Sequence, residues 1–317
     1  GAIHAANAAA HPALKLTYVV DPAAPAAERL AATFGAVVAS TGEVLADGDV
    51  AGVIIASSTD THLDHCLSAA AAGKSIFCEK PIDLDLARAR AAAPALATAR
   101  ILMGFNRRFD PHFAMLKQRM DAGEIGRLEL LTIFSKDPGP PPISYVQTSG
   151  GLFRDCMIHD LDMARFLLGE EPVELHASAS CLVDPAIGAA GDVDTAVATL
   201  RTASGKLCQI SNSRRATYGY DQRIEAHGEK GLLRAGNVTA TTVEFASESG
   251  FASEPALPFF LERYAEAYRR ELDAFITAVA AGQAPRPSGE DGLKALRLAD
   301  AATRSAQTGE TVRLGAE

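Results

Sequence analysis

A doubly wound parallel α/β sheet, followed by an α+β domain with a large and mostly antiparallel sheet, is the fold class this chain predicts. Three observations carry it. From Leu14 to Phe105 short apolar runs alternate with helical patterns of roughly ten to fifteen residues, which implies parallel βαβ units with right-handed crossovers. Beyond Pro172, runs of alternating character follow one another without helices between them, the pattern of an antiparallel sheet. A length of 317 residues and an apolar content of 48% suit two cores. The rhythm changes after Asn106, so the expected domains are residues 1–106 and 107–317.

Taken in order, the chain begins at Gly1 already inside an alanine-rich helix; alanine is the best helix former and lets helices approach a sheet closely. Leu16 to Val20 reads as a strand ending at Asp21, and Pro22 to Phe34 as a helix with proline in its first turn. Val37-Val38 and Val53 to Ala56 are strands, Thr61 to Ala72 a helix, Ser75 to Cys78 a strand, Leu84 to Thr98 a helix and Ile101 to Phe105 a strand. The second part starts with a helix from Pro111 to Ala122, a strand from Arg127 to Phe134, a proline-rich loop from Asp137 to Pro142 and a helix from Gly151 to Leu168. Strands follow at Val173 to Leu182, Thr195 to Arg201, Leu207 to Ser213, Arg223 to His227 and Thr239 to Phe245. Helices from Arg263 to Ala281 and Gly289 to Gln307 close the chain.

A sheet of this kind has a central first strand that this reading does not find. About 10 to 14 further residues are therefore expected before Gly1, a short apolar strand and then Gly-x-Gly-x-x, with Gly1 as the third glycine of a phosphate-binding turn. Without them, unpaired backbone in the sheet and the lost glycine turn are expected to weaken both stability and dinucleotide binding.

Net charge is −9 and the isoelectric point near 5.4, so no basic stripe is available for nucleic acid. No apolar run reaches membrane-spanning length, and Gly1 onward has no basic stretch followed by an apolar one. Five scattered cysteines, an odd number, suit a reducing cytoplasmic setting.

Chemistry concentrates in two stretches. Lys80 follows an apolar strand and precedes Pro81, a stiff dipeptide that aims its ammonium. Asp155 and His159 lie four apart; on an α-helix they share a face, with Cβ atoms about 5–6 Å apart. A base for a hydroxyl proton, a cation for the alkoxide and a carboxylate that orients the base are what alcohol oxidation requires. The blander alternative is a solvated pair beside an ordinary lysine. Polar residues also gather at the carboxyl ends of the parallel strands, where such folds bind ligands. Among them Asp21 is positioned to accept hydrogen bonds from an adenosine ribose, or simply to cap the helix after it. His62-x-x-His65 and His159-Asp160-x-Asp162 offer metal-ligand types, but neither supplies a converging set, and no metal is expected.

Glu79-Lys80-Pro81, the run from Gly104 to Asp110, and Gly150-Gly151 leading to Asp155, His159 and Asp160 resemble the glucose–fructose oxidoreductase/inositol dehydrogenase/rhizopine-catabolism family of NAD(P)-dependent oxidoreductases. Ser135-Lys136-Asp137-Pro138 and Tyr218 to Arg223 are most similar to its inositol-oxidising members. The resemblance covers essentially the whole chain and departs from it at the missing first strand and glycines. It implies a Rossmann-type first domain binding NAD rather than NADP, and a second domain for substrate binding and homo-oligomerisation, as a dimer or tetramer through the open sheet. By resemblance Lys80, Asp155 and His159 are catalytic. Gly1, Asp21, Ser57, Thr59, His62, Glu79 and Lys80 serve the cofactor, with Glu79 near the nicotinamide. Asn106, Arg107, Asp155 and His159 border the substrate, with Lys136 or Asp137 beside them; Tyr220 either reaches it or simply packs. The expected reaction is oxidation of a secondary hydroxyl of a small polyol, myo-inositol first; alternatives are scyllo-inositol, another sugar, or a non-enzymatic regulator that binds dinucleotide or sugar.

Overall fold

Short parallel strands and the helices between them build the first of two units in this computed structural model, which describes residues 1–315. The unit comprises Gly1–Asn106 and Tyr268–Leu296. After helix Ala2–Ala10, β1 (Tyr18–Val19) pairs in parallel with β2 (Val37–Val38). A separate parallel sheet places β4 (Ser75–Glu79) between β3 (Gly52–Ile55) and β5 (Ile101–Gly104). Ser75 to Cys78 are all buried, which is why β4 reads as a continuous run and not as an alternation.

Two local details depart from the sequence reading. The single helix expected from Leu84 to Thr98 is two, Leu86–Ala91 and Ala93–Thr98. Pro94 has no N–H, and in a continuous helix its ring would collide with the Arg90 carbonyl, so the chain restarts with proline in a first turn. An unanticipated helix, Thr41–Ala46, is stabilised by a capping box in which Ser40 accepts from the Glu43 N–H and the Glu43 carboxylate accepts from the Ser40 N–H.

Residues 268–296, expected in the second domain, pack within the first unit instead. Phe275 meets Phe77 edge to face with 5.9 Å between ring centroids, and the Met103 N–H of β5 donates to the Pro287 carbonyl at 2.8 Å. Aromatic burial and a satisfied edge N–H outweigh position along the chain.

The second unit holds Arg107–Ala267 and the chain from Arg297 onward. Its strands are β6 (Leu128–Lys136), β7 (Pro172–Ser180), β8 (Thr195–Thr202), β9 (Leu207–Ser213), β10 (Asp221–Gly228), β11 (Gly231–Ala235), β12 (Glu244–Ser247), β13 (Gly250–Ser253) and β14 (Val312–Arg313). Seven form one sheet in the order β11-β10-β6-β9-β8-β7-β14, antiparallel throughout except for the β6–β9 pair. Strict alternation of buried and open residues along β8 leaves one face for helix packing. Helix Ile158–Leu168 packs against β6 with nine of its eleven residues buried, leaving His159 and Phe166 the more open ones.

The strand expected from Thr239 to Phe245 is absent as such. The chain instead turns at Glu229-Lys230, pairing Gly228 with Gly231, so the β10 partner is β11; Glu244 onward forms an exposed hairpin of β12 and β13. The expected helix from Arg263 is split into Phe260–Arg263 and Ala265–Ala280. The segment read as one α-helix from Gly151 opens with a π-wound turn, Phe153–Met157. Among the described residues no helix is long and apolar enough to cross a membrane.

Candidate active site

In the first unit the polar residues anticipated from the sequence lie just beyond the carboxyl ends of β1, β3, β4 and β5. Asp21 is exposed, and its carboxylate accepts from the Ala23 N–H at 2.8 Å, closing the turn that enters helix Ala24–Phe34. Ser57 is exposed and bonded to Thr61 through their hydroxyls at 2.7 Å, and Thr59 opens the short 3₁₀ turn Thr59–Thr61. Gly1 precedes helix Ala2–Ala10, its carbonyl accepting from Ala5 N–H. Asn106 is buried, and its amide oxygen has no hydrogen-bond partner among the described residues.

Lys80 directly follows β4, in a cis peptide with Pro81. On one side Glu79, expected near the nicotinamide, is engaged by His4: Nε2 lies 2.6 Å from Oε1, while Oε2 accepts from the Lys80 N–H at 3.2 Å. Burial works against the Glu79 carboxylate, yet the His4 hydrogen bond and the Lys80 charge hold its pKa below the usual range. On the other side His62, expected to line the cofactor path, is buried with Nδ1 2.8 Å from the Pro81 carbonyl and Nε2 3.1 Å from that of Ser57. Both ring nitrogens therefore face carbonyls of the protein's own backbone.

The second unit by itself carries the helix with Asp155 and His159. Gly150 and Gly151 precede it with φ of 86° and 83°. At Gly151 a Cβ would stand 2.7 Å from Asp192 Oδ1, the oxygen that accepts from the Leu152 N–H at 3.0 Å. Only glycine combines that backbone with that contact. The π turn carries Asp155, and His159 sits in the first α-helical turn after it, so the 5–6 Å α-helical spacing expected for the pair does not transfer directly. Asp155 Oδ1 accepts from the Tyr145 hydroxyl at 2.9 Å, and Oδ2 is 3.8 Å from Arg214.

Arg214, at the end of β9, is 1% exposed and also lies 3.5 Å from Asp192. Although burial opposes its charge, Cys156, Asp155, Asp192 and Asp137 keep its guanidinium above the usual value. Asp137, just past β6, accepts from the Cys156 thiol at 3.7 Å. Burial pushes its pKa up to about 6; Arg214 and Arg107 counter that rise only in part, and Asp155 adds to it. Burial, then Asp155, raises Tyr145. Tyr145, Arg214 and Asp192 were missed in the sequence. Neither Arg214 nor Tyr145 lies in a motif: Tyr145 falls between the proline-rich loop and the helix expected from Gly151, and Arg214 just past the strand expected from Leu207 to Ser213.

Other residues expected at the site have partners within the second unit. Arg107, expected to border the substrate, is buried: it donates to Asp160 at 2.5 Å and to Ser135 at 3.1 Å, and Asp160 also accepts from Asn212 at 2.8 Å. A buried guanidinium requires such a partner, and Asp160 supplies it. Tyr220 is buried with its ring edge-on to Phe259 and Tyr264. Asp162 is engaged by Arg108 at 2.6 and 2.8 Å. No group of three or more His, Cys, Asp or Glu side chains is placed to hold a metal among the described residues.

A parallel α/β unit with polar strand ends, and a mixed-sheet unit carrying an aspartate–histidine helix, together define a nucleotide-dependent oxidoreductase. Residues 1–104 match the oxidoreductase family's NAD-binding Rossmann fold and residues 117–314 its C-terminal alpha/beta domain; the chain belongs to this Gfo/Idh/MocA family. It is 50% identical over 307 residues to the inositol 2-dehydrogenase of Rhizobium meliloti, covering 96% of this chain and 93% of that protein. A crystal structure of a myo-inositol dehydrogenase from Corynebacterium glutamicum superposes with a TM-score of 0.95 at 45% identity, covering 100% of this chain and 96% of that one. The myo-inositol dehydrogenase from Lactobacillus casei, solved in complex with NAD(H) and myo-inositol, gives 0.89 at 27% identity, covering 100% and 94%.

Proposed function

We propose that this oxidoreductase oxidises a secondary hydroxyl of a cyclitol, myo-inositol first, to the ketone with NAD. The observation that carries the reading is the aspartate–histidine helix, in which Asp155 is held by Tyr145 and flanked by Arg214, with the half-buried His159 four residues on. The names and bound ligands of the relatives support the substrate. The residues present fit the cofactor: Asp21 is exposed for a ribose, Ser57 and Thr59 offer hydroxyls, and the Asn106 amide oxygen is a buried acceptor still to be satisfied.

When bound, NAD supplies the hydride acceptor. His159 takes the hydroxyl proton as the ring C–H leaves as hydride and the carbon–oxygen double bond forms. Lys80 stabilises the alkoxide that develops on the same oxygen. Asp155 supports the imidazolium that His159 becomes. NADH absorbance across a panel of myo-inositol, scyllo-inositol and aldoses tests the reading: myo-inositol should be turned over best, and silence with every inositol would refute it.

Self-association through the open sheet completes the proposal. Leu232, His227, Leu130, Leu207 and Arg201 fall in one register row across β11, β10, β6, β9 and β8, with Leu130, Leu207 and Leu232 all exposed. An exposed apolar row on a sheet marks an interaction surface. Sedimentation should give a dimer or tetramer, and a monomer at micromolar concentration would remove this part. A cytoplasmic setting is supported by five cysteines that form no disulfide.

A further inference from the structure

Two buried histidines of the first unit hold the residues on either side of Lys80. His4 comes from helix Ala2–Ala10, 75 positions away in sequence, and its Nε2 meets the Glu79 carboxylate, whose other oxygen accepts the Lys80 N–H. His62, at the start of helix His62–Ala71, sits between the Pro81 carbonyl, 2.8 Å from Nδ1, and the Ser57 carbonyl, 3.1 Å from Nε2; its ring N–H donates to one of them, and the ring packs between the loop after β4 and the loop after β3. We propose that His4 and His62 are positioning residues that fix the Glu79-Lys80-Pro81 backbone and thereby aim the Lys80 ammonium. The inference rests on the role given to Lys80 above.

Three observations support it. Both imidazoles are 2% exposed, and apolar side chains would fill those volumes without desolvating a polar ring, so core stability alone gives no reason for them. The His4 ring is itself fixed, edge-on to Phe77 at 4.9 Å and to Tyr268 at 5.6 Å. Room for the Glu79 carboxylate is built into the neighbouring strand: a Cβ on Gly104 would lie 3.0 Å from both Glu79 Cα and Oε2. A preorganised cation gains from such support, because a displacement of about 1 Å at the reacting group can cost roughly a hundredfold in rate.

The test compares His4→Leu, His62→Leu and His4→Gln with wild type. Each leucine variant should lose about 10- to 100-fold in kcat with myo-inositol, while KM for inositol and Kd for NAD move less than about threefold. His4→Gln, whose amide nitrogen reaches where Nε2 does, should recover most of kcat. A folded His4→Leu protein within about twofold of wild-type kcat, or a His4→Gln protein as slow as His4→Leu, overturns the proposal. If His4→Leu does not fold, His4→Asn takes its place, since that amide is too short to reach Glu79 and should show the same loss. Amide hydrogen exchange over residues 78–83 reads the brace without turnover: faster exchange at Lys80 in His4→Leu but not in His4→Gln supports it, and unchanged exchange in His4→Leu overturns it. Should wild type oxidise no inositol, the functional reading fails, and the exchange result still decides the brace.

Discussion

Lys80 is where the sequence was most informative and where a single substitution is most decisive. Replacing it with alanine removes one preorganised cation from the developing alkoxide, so turnover should fall by roughly two to three orders of magnitude while NAD affinity, read by calorimetry, changes little. Near-normal turnover in a folded Lys80→Ala protein would remove Lys80 from the chemistry. The places of Lys80, Asp155 and His159 in the fold were legible, because a strand end and one helix are recognisable in the sequence. Tyr145, Arg214 and Asp192 were not, because only long-range packing brings a short helix, the end of β9 and the segment before β8 to Asp155 and Gly151. Asp137 makes a second prediction at this scale. Its folded pKa of about 6 lies above the usual carboxyl value, so the native state binds the proton more tightly than the unfolded chain. Its contribution is therefore fully present at low pH and is lost as pH rises through about 6. Asp137→Asn should gain in melting temperature relative to wild type from about pH 4 to 7 and then hold that gain. Parallel melting curves across that range would mean that Asp137 titrates normally.

The helix that carries Asp155 and His159 shows what periodicity can and cannot disclose. Its apolar spacing announced a helix ending near Leu168, as found, with Gly169 in the left-handed conformation as its C-cap. The π turn escaped detection because Phe153 and Met157 remain buried under either winding, so the hydrophobic pattern is the same. In the same way the Thr239 to Phe245 run looked like a strand because β-branched residues cluster there, whereas the two-residue turn at Glu229-Lys230 had already given β10 its partner. Gly150-Gly151 was the one local sign that the helix entry is unusual. Gly151→Ala should destabilise the protein by about 1–3 kcal/mol, through the left-handed backbone and the clash with Asp192. Urea unfolding measures it. In the Asp192→Ala background the clash is gone, so the penalty should shrink to the backbone part; an unchanged penalty would mean that the contact with Asp192 is irrelevant.

At the scale of the whole chain, the alternation of strands and helices followed by uninterrupted strands was enough to read two fold types, since crossover geometry forces the first into a parallel sheet. What order along the chain could not convey is that residues 268–296 pack in the first unit, beside Phe77 and β5. Binding of cofactor should register in the stability of the protein as a whole, because a ligand taken up only by the folded state adds RT ln(1 + [L]/Kd), about 2.7 kcal/mol at a hundred times Kd. On the role proposed for Asp21, its carboxylate sets which cofactor does so. Its exposed carboxylate can accept from both ribose hydroxyls of NAD and repels the 2′-phosphate of NADP, so at equal concentration NAD should raise the melting temperature more than NADP. Asp21→Ser separates this role from the turn it also makes: the serine hydroxyl can still accept from the Ala23 N–H, so the helix entry survives while the charge is gone. The variant should therefore melt near wild type without ligand and respond more evenly to the two cofactors. An NADP shift equal to or larger than the NAD shift in wild type would contradict the assignment; a large loss of ligand-free stability in Asp21→Ser would show that the carboxylate serves the turn first.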